Sequence, residues 1–138
     1  MKLTSFHHRD TLRFGVVRND DEVADLSAQP GAPAGLLELL ARGDEGMAWL
    51  HAALADAPRL ALSDVRLAAP IPAPRKFLGL GGNYASHLEE AAKLGLTRPP
   101  GQVWFNKQVS CVAGPFDAVH KPRVSGQFDY EGELGVVI

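Results

Sequence analysis

The stretch Ala69-Pro70-Ile71-Pro72-Ala73-Pro74 limits what this chain can fold into more than any other. Three prolines in five residues fix φ, remove backbone donors and stiffen the chain toward polyproline geometry. No helix can run through such a segment, so a domain border is expected there. It separates an N-terminal unit, residues 1–70, from a second unit, residues 71–138. At 138 residues the chain is long enough for one domain with a sizeable core or for two small ones.

Ahead of the border the pattern predicts a small antiparallel sheet. Lys2 to His7 alternates, Leu12 to Arg18 forms a second candidate strand, and Asn19-Asp20-Asp21 is turn chemistry leading into Glu22 to Leu26. His7 and His8 are neighbours on a strand and point to opposite faces, which is poor geometry for ligands of one metal. Ser27 to Ala34 reads as a linker. A helix is expected from Gly35 to Arg42, stopped by Gly43. Asp44 can cap a second helix with Met47, Leu50 and Leu54 on one face, ended by Pro58. His51 lies on that helix without acidic neighbours on its face and reads as a partly exposed histidine. Leu62 to Ala68 is a short strand-like stretch.

Beyond the border, Lys76 to Leu80 reads as a buried-type strand broken by Gly81-Gly82-Asn83. Ser86-His-Leu-Glu89 fits a capping box, which predicts a helix from Ser86 to Leu94 with Gly95 just past its end. A proline-containing loop over 97–101 leads to a strand at Val103 to Asn106. Gly114-Pro115 is a turn, and Pro122 to Gln127 a loop. Phe128 to Ile138 reads as a strand, with Leu134, Val136 and Ile138 on one face. Its other face carries Asp129, Glu131 and Glu133. Three like charges in a row repel, and hard oxygen ligands suit Mg²⁺, Mn²⁺ or Ca²⁺. A solvent-exposed edge strand with protective charges is the competing reading.

Composition removes several function classes. The content, 46% hydrophobic and 22% charged, is ordinary for a globular protein. A net charge of −2 carries no strong field, so nucleic acid is not expected as a partner. The one cysteine, Cys111, excludes an internal disulfide and a cysteine-based zinc site, and fits a reducing compartment. It is expected as a small buried hydrophobe. Met1 to His8 lacks the apolar core of a signal peptide, and no apolar run approaches the length of a membrane span. A cytoplasmic protein without membrane contact is the expectation.

Four constellations carry chemistry. Gly79-Leu-Gly-Gly-Asn83 is not a dinucleotide fingerprint, because Tyr84 stands where its third glycine would be, and it lacks the Lys-Ser/Thr ending of a phosphate loop. Its glycines suit a tight turn that leaves backbone open to a ligand. His87 and Glu90, at i and i+3 of a helix, can pair as a general base and its orienting acid, or form an ordinary surface pair. Lys107 follows the aromatic strand Val103-Trp-Phe-Asn106 and either holds an anion or snorkels to solvent. Glu131 and Glu133 offer two oxygens to a six-coordinate ion and leave most of its positions open.

Lys76-Phe-Leu-Gly-Leu-Gly-Gly-Asn-Tyr-Ala-Ser-His87, Phe105-Asn-Lys107, Gly114-Pro115 and Asp129-Tyr-Glu-Gly-Glu-Leu134 together resemble the fumarylacetoacetate hydrolase family. The resemblance covers residues 69–138, and the N-terminal unit more loosely. It implies an α+β, β-rich chain. A small strand-and-helix domain at 1–70 would precede the first part of a mixed β-barrel catalytic fold at 71–138. It also implies a homodimer and Mg²⁺ or Mn²⁺ held by two glutamates and an aspartate.

By position, Glu131 and Glu133 match the two glutamate ligands. His87 and Glu90 match the water-activating dyad on a mobile helix, and Lys107 the lysine that faces substrate. Asp129 matches a variable position, and Ser86 stands where many members have aspartate. The implied reaction is hydrolysis of a C–C bond in a small 2-oxo acid or 1,3-dicarbonyl, of the acylpyruvate or fumarylpyruvate kind, in aromatic compound catabolism. Isomerases of 2-hydroxyhepta-2,4-diene-1,7-dioate and oxaloacetate decarboxylases use the same enolate stabilisation. In the family the aspartate ligand lies downstream of the Glu-x-Glu strand, whereas this chain ends at Ile138. A fragment or truncated product with weak metal binding and little catalysis is therefore expected. A non-catalytic remnant whose sheet edge pairs with a partner is the competing reading.

Overall fold

The computed structural model describes residues 1–97 and 100–138. Arg98 and Pro99, within the loop predicted over 97–101, lie outside the described residues. The alternating segments of the N-terminal unit produce strands β1 (Lys2–His8), β2 (Thr11–Arg18) and β3 (Glu22–Asp25), joined by β4 (Arg59–Ala61) and β5 (Arg66–Leu67). They form a five-stranded antiparallel sheet in the order β4-β3-β2-β1-β5. Arg9 and Asp10 connect β1 to β2 with φ of 49° and 61°, the backbone of a two-residue turn whose twist suits a hairpin. Asn19, at φ 57°, opens the predicted turn between β2 and β3.

One face of this sheet is covered by α1 (Leu36–Ala41) and α2 (Gly43–Ala53). Phe14, Val16 and Ala24 from the strands meet Leu26, Leu36, Leu39, Leu50 and Ala57 in one buried cluster, and Ile71 packs against it. Gly43 does not merely stop the first helix. With φ 56° it lets the chain reverse and opens the second. Arg42 therefore takes the cap position predicted for Asp44, which sits in the first turn beside the positive helix end. His51 is exposed on α2. Asp25 is 3% exposed and accepts from Arg13 Nη1 at 2.6 Å and from the Ser27 N–H at 3.0 Å, so its buried charge is satisfied. Ser5 Oγ donates to the Pro70 carbonyl at 2.7 Å and ties the proline segment to the sheet.

The stretch 62–68 differs from its predicted strand. Leu62–Asp64 is a 3₁₀ turn whose first N–H donates to the Asp21 carbonyl at 2.7 Å, and only Arg66–Leu67 pairs as β5. β4, just before it, carries too few residues to show a period of two.

In the second unit β6 (Leu78–Gly81) pairs antiparallel with β7 (Val103–Asn106), and α3 (Ala85–Lys93) lies between them in sequence. α3 is capped by the backbone of Tyr84. Ser86 sits inside the first turn and makes no capping bond, so the predicted capping box does not form. The far end follows expectation. Gly95, at φ 76°, donates to the Ala92 carbonyl at 3.0 Å, and Leu96 to Ala91 at 2.9 Å. That pair of bonds is the glycine-terminated helix end in which only a residue without Cβ adopts φ > 0 freely.

Among the described residues the buried hydrophobic side chains all lie between Phe6 and Ala57. β6 is accordingly not the buried strand its apolar run predicts, and Leu78 is 53% exposed. Cys111, expected inside, is exposed at the end of a 3₁₀ turn, Val109–Cys111, with no core to enter. Residues 128–138 form no strand. Their side chains are exposed and no edge among the described residues pairs with them. A strand gains its hydrogen bonds from a neighbour, and without one an alternating pattern does not become regular structure.

Candidate functional site

β6 and β7 build the platform of the site. A Cβ at Gly79 would collide with the Phe105 ring across the ribbon, so glycine there lets the ring lie over the strand. Lys107 leaves β7 beside that ring. Its N–H donates to the Phe77 carbonyl at 2.8 Å, and its Nζ lies 5.6 Å from the Phe77 ring centre and 5.8 Å from that of Phe105. The ammonium is thus seated over two aromatic faces, contacts worth about 0.5–1 kcal/mol each at exposed sites.

At the end of β6, Gly82 (φ 61°) turns the chain into α3. This turn, with Leu80, Asn83, Gly101 and Gln102, lines a cavity of about 520 Å³. His87 stands on the first turns of α3, and its Nε2 lies 3.9 Å from Glu131 Oε1. Both side chains are partly exposed, 42% and 64%. The His87 ring meets the Tyr84 ring edge-on, with centres 6.4 Å apart and planes at 70°. The Tyr84 hydroxyl accepts the Leu134 N–H at 2.8 Å. The start of α3 and the carboxylate segment therefore touch at two points.

The structure brings His87 and Glu131 together. Glu90 shares α3 with His87, yet among the described residues no hydrogen bond or ion pair joins them. Glu133 and Lys107 likewise make no ion pair among the described residues. Asp129 accepts the Tyr130 N–H at 2.8 Å, a local turn contact. Glu131 and Glu133 carry hard carboxylate oxygens of the kind Mg²⁺ or Mn²⁺ takes, and two such groups would fill only part of its shell. Among the described residues no group of three or more His, Cys, Asp or Glu side chains is placed to hold a metal. Sequence reasoning gave Tyr84 no role of its own, noting it as the residue that spoils a glycine fingerprint and as one member of the motif that ends at His87. Its place immediately ahead of the helix that carries His87 was the available signal.

α3 thus follows the glycine turn at Gly82 at the end of the β6–β7 ribbon, and its His87 meets the Glu-x-Glu segment at Glu131. Residues 76–138 match the family model described as fumarylacetoacetate (FAA) hydrolase C-terminal. The mitochondrial oxaloacetate tautomerase of Bos taurus is 35% identical over 122 residues, 87% of this chain and 38% of that protein. Maleylpyruvate hydrolase from Sphingobium sp. SYK-6, solved with manganese(II) and pyruvate, superposes with a TM-score of 0.63 at 32% identity, over 90% of this chain and 43% of that one. Fumarylacetoacetate hydrolase from the psychrophile Exiguobacterium antarcticum gives 0.62 at 34%, over 86% and 39%.

The chain belongs to the fumarylacetoacetate hydrolase family. Its fold is α+β and strand-rich, of the kind these relatives share. It spans less than half the length of each of them. No helix among the described residues is long and apolar enough to cross a membrane.

Proposed function

We propose that residues 71–138 belong to a metal-dependent hydrolase that cleaves a C–C bond in a small 2-oxo acid of the acylpyruvate or fumarylpyruvate kind. In this reading residues 1–70 form a separate N-terminal domain. The observation that carries the reading is the approach of His87 to Glu131, which puts a proton acceptor beside a hard-oxygen ligand. Glu131 and Glu133 would hold Mg²⁺ or Mn²⁺. When bound, the ion supplies Lewis acidity toward the adjacent oxygens of an oxo acid.

The chain's own residues do the rest. His87 takes a proton from water, with Glu90 one turn along α3 to favour the imidazolium that results. The hydroxide adds to the distal carbonyl, the C–C bond breaks, and a carboxylic acid and an enolate leave. Lys107, held over Phe77 and Phe105, faces the enolate charge. The enolate is then protonated to the ketone. Exposed apolar side chains along the β6–β7 ribbon, Leu78, Trp104 and Phe105 among them, support a homodimer. The lone cysteine supports a cytoplasmic setting.

Titrating Mg²⁺ into the chain and its Glu131→Ala variant tests the metal site. The variant is expected to bind at least tenfold more weakly, and equal affinity would sink the assignment. A second reading keeps the same residues but ends at the enolate. The likeness to an oxaloacetate tautomerase favours enol–keto exchange or decarboxylation as the outcome. Turnover compared between acylpyruvates and oxaloacetate separates the two.

A further inference from the structure

We propose that Phe77 and Phe105 are positioning residues for Lys107, their rings holding its ammonium at the end of the β6–β7 ribbon with its charge unneutralised and open to a small carboxylate or enolate. This rests on the reading that Lys107 faces the anionic part of a 2-oxo acid. Strand register puts the three side chains together. β6 and β7 pair Leu78 with Asn106 and Gly79 with Phe105. One step on, Phe77 stands opposite Lys107, whose N–H donates to the Phe77 carbonyl at 2.8 Å. Alternate side chains leave a strand on one face, so Phe77, Gly79, Phe105 and Lys107 share theirs. Gly79 leaves the middle of that face empty, and a Cβ there would sit on the Phe105 ring. The ring therefore lies across the ribbon, and Lys107 Nζ has both ring centres within 5.8 Å. Asn106, its amide nitrogen turned toward the Phe77 carbonyl, donates to it at 3.1 Å and pins the strand end from which Lys107 leaves.

A lysine that snorkels is more exposed than its apolar neighbours. Here the order is reversed. Lys107 is partly buried, while Phe105 and Val109, two residues to either side, are each 43% exposed. The kind of seat decides what the ammonium can do. Among the described residues no carboxylate pairs with Lys107. A carboxylate would orient the ammonium but cancel its charge and occupy its N–H donors. An aromatic face attracts the cation through its quadrupole and carries no net charge. The full charge and the three N–H bonds thus remain for an anion, as a lysine that stabilises an oxyanion requires.

The test uses the full 138-residue chain, ¹³C-labelled in lysine, as wild type, Phe105→Leu, Phe105→Tyr and Lys107→Ala. The ε-methylene signal absent from Lys107→Ala reports the seat through its ring-current shift. Pyruvate affinity is read by saturation transfer to the pyruvate methyl protons. Phe105→Leu keeps an apolar side chain without a π face. It is expected to move the signal toward those of the other lysines and to weaken pyruvate binding about two- to fivefold, the factor that one exposed cation–π contact represents. Phe105→Tyr is expected to match wild type in both. A Lys107 signal already among the other lysines in wild type, or a Tyr variant that behaves like the Leu variant, would overturn the proposal. Wild-type pyruvate affinity in Phe105→Leu alongside weakened binding in Lys107→Ala would leave Lys107 its anion role and remove the role of the rings. Equal pyruvate binding in wild type and Lys107→Ala would remove the anion role and the positioning role with it. Weakened binding in Phe105→Leu accompanied by lost hydrogen-exchange protection at the Lys107 amide would mark Phe105 as a prop of the ribbon and overturn its positioning role.

Discussion

His87 Nε2 and Glu131 Oε1 stand 3.9 Å apart, although they come from opposite ends of the segment that carries the family's motifs. Neither side chain is buried, so the contact contributes little to folding. Exposed pairs of this kind are worth about 0–1 kcal/mol. Replacing His87 by Ala is therefore expected to leave the unfolding free energy within about 0.5 kcal/mol of wild type. Urea denaturation of the two proteins checks this, and a larger loss would give His87 a structural role.

Stability sits elsewhere. Phe14 lies at the centre of the N-terminal cluster and is 2% exposed. Truncating it to Ala removes buried ring surface and leaves a cavity, at a cost of about 3–5 kcal/mol. Chemical denaturation followed by circular dichroism should show the midpoint fall accordingly.

Asp25 is the buried charge of the same unit, bonded to Arg13 and to the Ser27 N–H. Asp25→Ala leaves a guanidinium that is only 31% exposed without its partner. A loss of about 1.5–3 kcal/mol is expected, the range for hydrogen bonds to charged groups. Arg13→Met with Asp25→Ala together should recover part of that loss, because no orphaned charge remains.

Glu38 provides a pH signature. The Ala34 N–H at 2.7 Å and then the Arg42 guanidinium at 2.6 Å lower its carboxyl below the ordinary value of 4.5. A depressed carboxyl stabilises the fold above the unfolded value, and the contribution disappears as pH falls through the folded value. The melting temperatures of wild type and Glu38→Gln should therefore differ at pH 7 and converge in acid, below the ordinary carboxylate range. A gap that persists in acid would contradict this linkage.

Gly79→Ala tests the aromatic platform. The added methyl overlaps the Phe105 ring, which must swing away and take one of the two faces beneath Lys107 with it. The near-ultraviolet circular dichroism of the ribbon, which also carries Trp104, should change while the far-ultraviolet spectrum of the N-terminal sheet does not.

Much of the architecture was legible from local pattern. Alternation marked β1, strand-like runs beside turn and loop residues marked β2, β3 and β7, and Gly95 marked the end of α3, because each depends on neighbours in the chain. The motifs around His87, Lys107 and Glu131 were enough for the family, since they register residue types and order. What local pattern could not give was anything settled by a distant partner. Tyr84 displaced Ser86 as the cap because the turn at Gly82 sets where the helix begins.

The alternating segment at 128–138 did not become a strand, and Cys111 did not become buried, because regular pairing and burial require a neighbouring edge or core. The sequence by itself determined the strand-rich N-terminal sheet, the family and the carboxylate, histidine and lysine side chains on offer. Only the tertiary structure decided that His87 faces Glu131 and that Tyr84 grips Leu134. Those are contacts across space between segments with no local reason to meet.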